Sequence, residues 1–158
     1  MTVLTILCAV GAAAAGGALF TFSDFTMAGL KQLPAAQGIT AMQAINKAAP
    51  SPLFMLLLFG TGAGCLAMMV MAGLRHEEPD STLRLVAGGL YLVGVVFTTI
   101  TYHVPRNDRL DRVDPESNEG ADFWVTYQRQ WIPMNHVRTL APLVAAMLLG
   151  ASLTAHQG

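Results

Sequence analysis

The chain has 158 residues, of which 53% are hydrophobic and only 12% are charged, and its formal net charge is −1. A typical soluble domain carries about 25% charged residues, so this composition argues against a soluble protein. The small net charge gives no electrostatic attraction to nucleic acid, so we predict no nucleic-acid partner.

Apolar residues are concentrated in four blocks without charge, which are Val3–Phe22, Pro52–Leu74, Leu85–Tyr102 and Leu140–Ala155. Each is near the roughly 20 residues that a helix needs to cross a membrane. The alternative, a soluble bundle with apolar core helices, fits the second block poorly, since a soluble helix keeps a polar face. We predict one domain, 1–158, that is an all-α membrane bundle with helices near 2–30, 51–74, 82–104 and 121–156.

A further short helix is predicted between the first two spans, in "LPAAQGITAMQAINKAAPSP". Ile39, Met42 and Ile45 recur every three residues and give this segment one apolar face. A helix with one apolar face lies in the plane of the membrane surface. Pro50 and Pro52 are expected to end it.

The third span is followed by a polar segment, "VPRNDRLDRVDPES". The residue before a proline disfavours helical geometry, so we predict that the helix ends near residue 104 or kinks there, before Pro105. A polar loop with a short helical turn then leads to the fourth span. Asp114 and Pro115 are typical of the first residues of a helix.

The basic residues indicate the orientation in the membrane. Segments 31–50 and 105–138, at one end of the bundle, contain Lys31, Lys47, Arg106, Arg109, Arg112, Arg129 and Arg138. The other end has Arg75 and Arg84. Because cytoplasmic loops carry the excess of Lys and Arg, we predict a bacterial inner-membrane protein with the 105–138 loop cytoplasmic and both termini outside.

A stripe of polar and aromatic residues marks the fourth span. Trp124, Tyr127, Trp131, Asn135 and Arg138 are spaced by three or four residues and share one helical face. An aromatic belt at the membrane surface would explain the first two. The deeper amide and guanidinium indicate a polar cavity instead.

Polar residues near the ends of other spans add to this predicted cavity. A carboxylate such as Asp24 is costly in a span unless it is paired or hydrated, so it is either functional or paired with Arg138 or Arg106. His103 and Asn107 are expected to face inward from the third span. A histidine there suits a general base, with amide and guanidinium donors for an oxyanion.

A metal site is the alternative chemistry. Asp24, His103 and His136 would form a two-histidine, one-carboxylate site for iron or copper, of the kind that activates oxygen. No local spacing such as HxH or HExxH supports it. We therefore favour a reaction without a metal or other cofactor.

Three segments, "AMQAIN", "VPRNDRL" and "W...NHVRTL", resemble the DUF1772 family of anthrone oxygenase-like membrane proteins. The resemblance covers nearly the whole chain. It implies oxidation of an anthrone to an anthraquinone by O₂, with no established organic cofactor. It marks Gln43, Asn46, Pro105, Asn107, Trp131, Asn135, His136 and Arg138. The family often has asparagine where this chain has His103.

We therefore predict a membrane-embedded oxygenase or oxidase that uses O₂ on an apolar aromatic molecule of the anthrone or hydroquinone type, by base-assisted deprotonation and oxyanion stabilisation. The residues predicted to be catalytic are His103, Asn107, Asn135, His136 and Arg138. The residues predicted to bind substrate are Asp24, Asn46, Tyr127 and Trp131. A non-catalytic protein that binds lipid or a partner subunit, a metal-dependent redox protein and a small transporter are the alternatives, and a homo-oligomer remains open.

Overall fold

A computed structural model describes residues 1–155, which form helices and no strand. The helices are α1 (Thr2–Lys31), α2 (Ala35–Ala48), α3 (Pro52–Leu74), α4 (Ser81–Asp111) and α5 (Asn118–Ala155). The predicted all-α fold is therefore confirmed, including the short helix between the first two spans. The predicted end of the last helix, residue 156, lies outside the described residues.

Within the described residues, α1, α3, α4 and α5 are long and apolar enough to cross a membrane. Their outer faces expose large hydrophobic side chains, including Val3, Leu53, Val93 and Leu140. In water such surfaces would favour aggregation, whereas lipid tails solvate them. The sequence prediction of an integral membrane bundle is confirmed.

The four spans form a closed ring in which α1 packs on α5 and α3, and α4 packs on α3 and α5. Small residues line these interfaces, because helices in lipid associate through close packing. Gly94 of α4 lies against Ala141 of α5 so closely that an added Cβ would overlap the Ala141 Cβ. A Cβ added at Gly88 would likewise overlap the Met69 side chain.

Gly94→Ala is expected to destabilise the bundle by about 1–3 kcal/mol, because α4 and α5 must move apart to admit the methyl group. Gly89→Ala is the matched control, since nothing lies within 4 Å of the position of its added Cβ. We expect the control to be neutral or slightly stabilising. Denaturation of both variants in detergent, followed by circular dichroism, measures the difference. Equal stability of the two variants would contradict the close approach at Gly94.

Three spans in the described chain contain π-helical turns. These turns are Phe22–Thr26 in α1, Leu56–Gly60 in α3, and Leu92–Phe97 and Thr99–His103 in α4. The last turn gives way to an α-helical segment at Val104, and Pro105 lies at the start of that segment. There proline's missing N–H is tolerated. The predicted end of the helix near residue 104 is therefore wrong, since α4 continues to Asp111, and the alternative of a kink at this point stays a prediction.

The connection between α4 and α5 is a short turn, residues 112–117. The Ser117 Oγ accepts a hydrogen bond from the Gly120 N–H at 2.9 Å and caps α5. Asp114 instead accepts from the Glu116 N–H within the turn. The prediction of a long 105–138 loop is wrong, because both helices extend beyond their apolar blocks. The prediction of a helix that starts at Asp114 and Pro115 is also wrong, because α5 begins at Asn118.

The surface helix α2 is attached to the end of α4. The Gln43 side chain donates hydrogen bonds to the carbonyls of Leu110 and Val113, each at 3.0 Å. Asn46 donates to the Asp111 carboxylate at 3.0 Å. Gln43 therefore holds α2 over this end of the bundle.

The opposite end is held by a buried ion-pair network. Arg84 is 1% exposed, pairs with Asp80 and reaches Glu78 at 3.2 Å. Glu78 also pairs with Arg75 at 3.6 Å. These contacts tie the 75–80 turn to the first turns of α4.

Candidate functional site

A cavity of about 240 Å³ lies at the end of the bundle that α2 covers. This volume is just below the usual range of ligand pockets, roughly 300–1,000 Å³, which suits a compact ligand. Its apolar lining includes Leu19, Phe22, Met42, Ile45, Phe54, Met55, Leu58, Phe59 and Trp131. Its polar lining consists of Asn46, Thr99, His103, Asn107, Asp108, Asp111 and Arg138.

The predicted stripe on α5 forms one wall of this region. Trp124, Tyr127, Trp131, Asn135 and Arg138 are all buried. Of these, Trp131 and Arg138 line the cavity directly. Tyr127 stacks behind Trp131 with ring centroids 6.3 Å apart. The whole stripe therefore packs against the bundle, but only Trp131 and Arg138 line the cavity.

Asn107 is held in one orientation by two donors. Its Oδ1 accepts hydrogen bonds from the Tyr127 hydroxyl at 2.9 Å and from the Trp131 Nε1–H at 3.0 Å. Because both donors require an acceptor, this network identifies the oxygen of the amide. The Nδ2 group, with its two N–H donors, is left for a ligand in the cavity. Tyr127 therefore acts as a positioning residue and not as part of the lining.

His103 projects from the last π-helical turn of α4 and is 1% exposed. Its ring meets the Trp131 ring edge-on, with centroids 4.9 Å apart. Neither ring nitrogen forms a hydrogen bond of good geometry with the described residues, although the Met134 carbonyl interacts with the ring. A buried polar group without a satisfied hydrogen bond calls for an explanation, and a ligand supplies one.

Arg138 is 7% exposed and lies at the wall of the cavity. Within residues 1–154 it forms no ion pair, and its Nε has no hydrogen-bond partner. The guanidinium carbon lies 5.8 Å from the centre of the Trp131 ring, within the range of a cation–π contact. Thr99 adds a buried hydroxyl that also lacks a partner among these residues.

Asn135 was predicted to be catalytic, but the structure places it between α1 and α5, outside the cavity lining. It is fully buried and donates to the Leu19 carbonyl and to the Ser23 Oγ, both at 3.0 Å. Ser23 in turn lies 3.0 Å from the Thr139 hydroxyl. Asn135 therefore positions α1 beside the cavity.

Asp24 and His136 do not reach the cavity. Both are exposed and line a separate cleft of about 190 Å³ with Ser23 and Thr139. In the described part of the chain Asp24 forms no ion pair with Arg138 or Arg106. No group of three or more His, Cys, Asp or Glu side chains within these residues is placed to hold a metal ion. Asp24, His103 and His136 are therefore not brought together.

The remaining predicted residue, Asn46, lies at the rim with Asp111. Sequence reasoning missed Thr99 and the aromatic walls Phe54 and Phe59. A signal for Thr99 was present, because it precedes His103 and Asn107 at successive intervals of four residues. The two phenylalanines stand among other apolar residues and carry no such signal.

Comparison with known proteins identifies the family of the chain. The family model described as anthrone oxygenase matches residues 49–148. That range contains His103, Asn107, Trp131 and Arg138, whereas Asn46 lies before it. Neither the search of curated proteins nor that of solved structures gave a significant match. Because the family match covers more than half of the chain, the protein belongs to the anthrone oxygenase family, DUF1772.

Proposed function

We propose that the protein is a membrane-embedded oxygenase that uses O₂ to oxidise an apolar aromatic molecule of the anthrone or hydroquinone type. One observation carries the proposal. A buried histidine without a hydrogen bond of good geometry, His103, faces an aromatic cavity together with two sets of donors, on Asn107 and Arg138. This combination suits removal of a proton and stabilisation of the resulting anion.

For an anthrone, His103 takes a proton from the CH₂ group between the aromatic rings. The anion transfers one electron to O₂, recombination forms a C–O bond, and the resulting peroxide takes the proton back from His103 to give a hydroperoxide. His103 then removes the remaining C–H proton, which forms the ketone and breaks the O–O bond, and the departing hydroxide takes this proton from His103 and leaves as water. O₂ is the only oxidant, with one oxygen atom in the product and one in water.

The other residues act on the charge and the position of the substrate. When the proton leaves, negative charge moves to the carbonyl oxygen, where the Asn107 Nδ2 and the Arg138 guanidinium are the available donors. Trp131, Phe54 and Phe59 supply aromatic surface for stacking. Apolar substrates concentrate in the bilayer, from which the cavity can be filled. This route requires no organic cofactor or metal.

We further propose a bacterial inner membrane as the location, with the 112–117 turn in the cytoplasm and both termini outside. The basic residues support this orientation. Lys31, Lys47, Arg106, Arg109, Arg112 and Arg129 lie at the end with this turn. At the other end Arg75 and Arg84 are paired with acidic residues. The positive-inside rule places the more basic end in the cytoplasm.

Oxygen uptake by the purified protein in mild detergent, with a panel of anthrones and hydroquinones, tests the function. We expect substrate-dependent uptake, and with ¹⁸O₂ one labelled atom in the anthraquinone product. Absence of uptake with every compound would reject the oxygenase. The same preparation is analysed for metals, and activity that rises and falls with bound iron or copper would contradict the metal-free route.

Asn107→Asp is expected to lower the turnover number about 10²- to 10³-fold, because a carboxylate oxygen replaces the N–H donor and repels the developing oxyanion. The remaining oxygen still accepts from Tyr127 and Trp131, so the fold is retained. Asn118→Asp, at an exposed helix start, is the matched control and should stay within about twofold. Stopped-flow oxygen measurements give both values. Equal turnover in the two variants would remove Asn107 from the mechanism.

A further inference from the structure

The charge of Arg138 is not compensated by the described protein. It forms no ion pair or hydrogen bond within residues 1–154, and it is 93% buried, being 7% exposed. Charged groups inside a membrane protein are costly unless they are paired, hydrated or bound to a ligand. The cation–π contact with Trp131 does not neutralise the charge.

The carboxylates that line the cavity do not pair with Arg138. Asp108 and Asp111 line the rim of the cavity and are exposed, and Asp111 accepts a hydrogen bond from Asn46. Neither is within ion-pair distance of Arg138. The cavity therefore has acidic groups at its rim and a cation in its wall.

Arg106 does not share the interior with Arg138. Its guanidinium lies 3.4 Å over the Tyr102 ring and donates to the Tyr102 carbonyl and to Gln130. It is absent from the cavity lining. Arg138 is therefore the one arginine in the lining that the structure describes, and it faces the aromatic space without a counterion.

We propose that the resting ligand of this cavity is an aromatic monoanion, with its carboxylate or phenolate on Arg138 and its rings against Trp131, Phe54 and Phe59. The inference rests on the proposed function in so far as it names the substrate class of the same site. It goes further, because the oxygenase mechanism needs only the charge that develops during reaction. A permanent anion neutralises Arg138 as soon as the ligand binds, and the Asn107 Nδ2 is then the donor left for the oxyanion that develops during reaction.

An anionic lipid headgroup has the same charge, but the cavity fits it less well. A headgroup stays at the membrane surface, where the rim carboxylates Asp108 and Asp111 would repel a phosphate. The walls deeper in are aromatic, and the volume of about 240 Å³ suits a compact ring system. A small aromatic acid passes the same carboxylates only on entry and then places its charge on the guanidinium, whereas the charge of a headgroup stays beside them.

Two matched fluorescent probes test the proposal, anthracene-2-carboxylate and the neutral 2-(hydroxymethyl)anthracene. Their dissociation constants are measured without oxygen in uncharged detergent. We expect the carboxylate to bind the wild-type protein about tenfold tighter or more, as for a hydrogen-bonded charge pair. Arg138→Gln should remove this preference and keep the affinity for the neutral probe, and Arg138→Lys should keep part of the preference. Arg129→Gln, at an exposed position of the same helix, is the matched control.

Equal binding of the two probes by the wild-type protein would overturn the proposal without the need for any variant. So would a preference for the carboxylate that persists in Arg138→Gln. Displacement of the carboxylate by phosphatidylglycerol but not by phosphatidylcholine would assign the site to lipid and also overturn it. Because binding is measured without turnover, a preference for the anion in a protein that consumes no oxygen would reject only the oxygenase.

Discussion

Replacing His103 by glutamine is expected to lower the rate of substrate-dependent oxygen consumption about 10²- to 10⁴-fold, the range typical for loss of a general base. Glutamine has a similar size and keeps polar atoms in the same buried space, so the contact with Trp131 is retained in part. It has no basic nitrogen that can accept a proton from the substrate. Oxygen-electrode traces at saturating substrate measure the effect on the turnover number.

His136→Gln provides the matched control, because it makes the same chemical change at an exposed residue outside the cavity. We expect its turnover to stay within about twofold of the wild type. If the two variants lost activity equally, the assignment of the base to the cavity would be wrong. Circular dichroism of both proteins separates loss of activity from loss of fold.

Asp80→Ala is expected to have the largest effect on stability. It removes the partner of Arg84, whose side chain is 1% exposed, and leaves that guanidinium with only Glu78. Removing one member of a buried ion pair costs about 3–5 kcal/mol. We expect a lower midpoint of denaturation in detergent and a smaller yield of folded protein from membranes.

Glu77→Ala is the control for this variant, since Glu77 is an exposed acid in the same turn. It should change stability by no more than about 0.5 kcal/mol. The Asp80→Ala protein that does fold should keep its turnover number, because the ion-pair network and the cavity lie at opposite ends of the bundle. Similar stability of the two variants would show that the network contributes little.

The spans and the buried face of α5 could be predicted because they depend on local pattern. Uncharged apolar segments of about 20 residues identify the spans, and polar and aromatic residues at intervals of three and four identify the buried face of α5. Which groups the residues of that face contact could not be predicted from the sequence. Asn135 and Arg138 lie on one stripe, yet the first bonds α1 and the second lines the cavity.

The grouping of Asp24, His103 and His136 was beyond sequence reasoning for a related reason. How a span is rotated about its axis is decided by its packing partners, and composition does not encode that rotation directly. α1 turns Asp24 outward, and His136 points away from the interior although its neighbour Asn135 is buried. The continuation of α4 through Pro105 depends on a π-helical turn, which leaves no mark in the hydrophobic pattern.

That turn lets the helix accommodate a change in chain length without a change in the site beyond it. Each residue of an α-helix advances the direction of the side chains by about 100°, so one extra residue would shift the phase of everything that follows. A π-helical turn closes with i→i+5 hydrogen bonds and takes up that extra residue. Deleting the exposed Ile100 is therefore expected to convert the turn to α-helix and to leave Asn107 facing Tyr127 and Trp131. Related chains that are one residue shorter in this turn would present the same groups from Val104 onward.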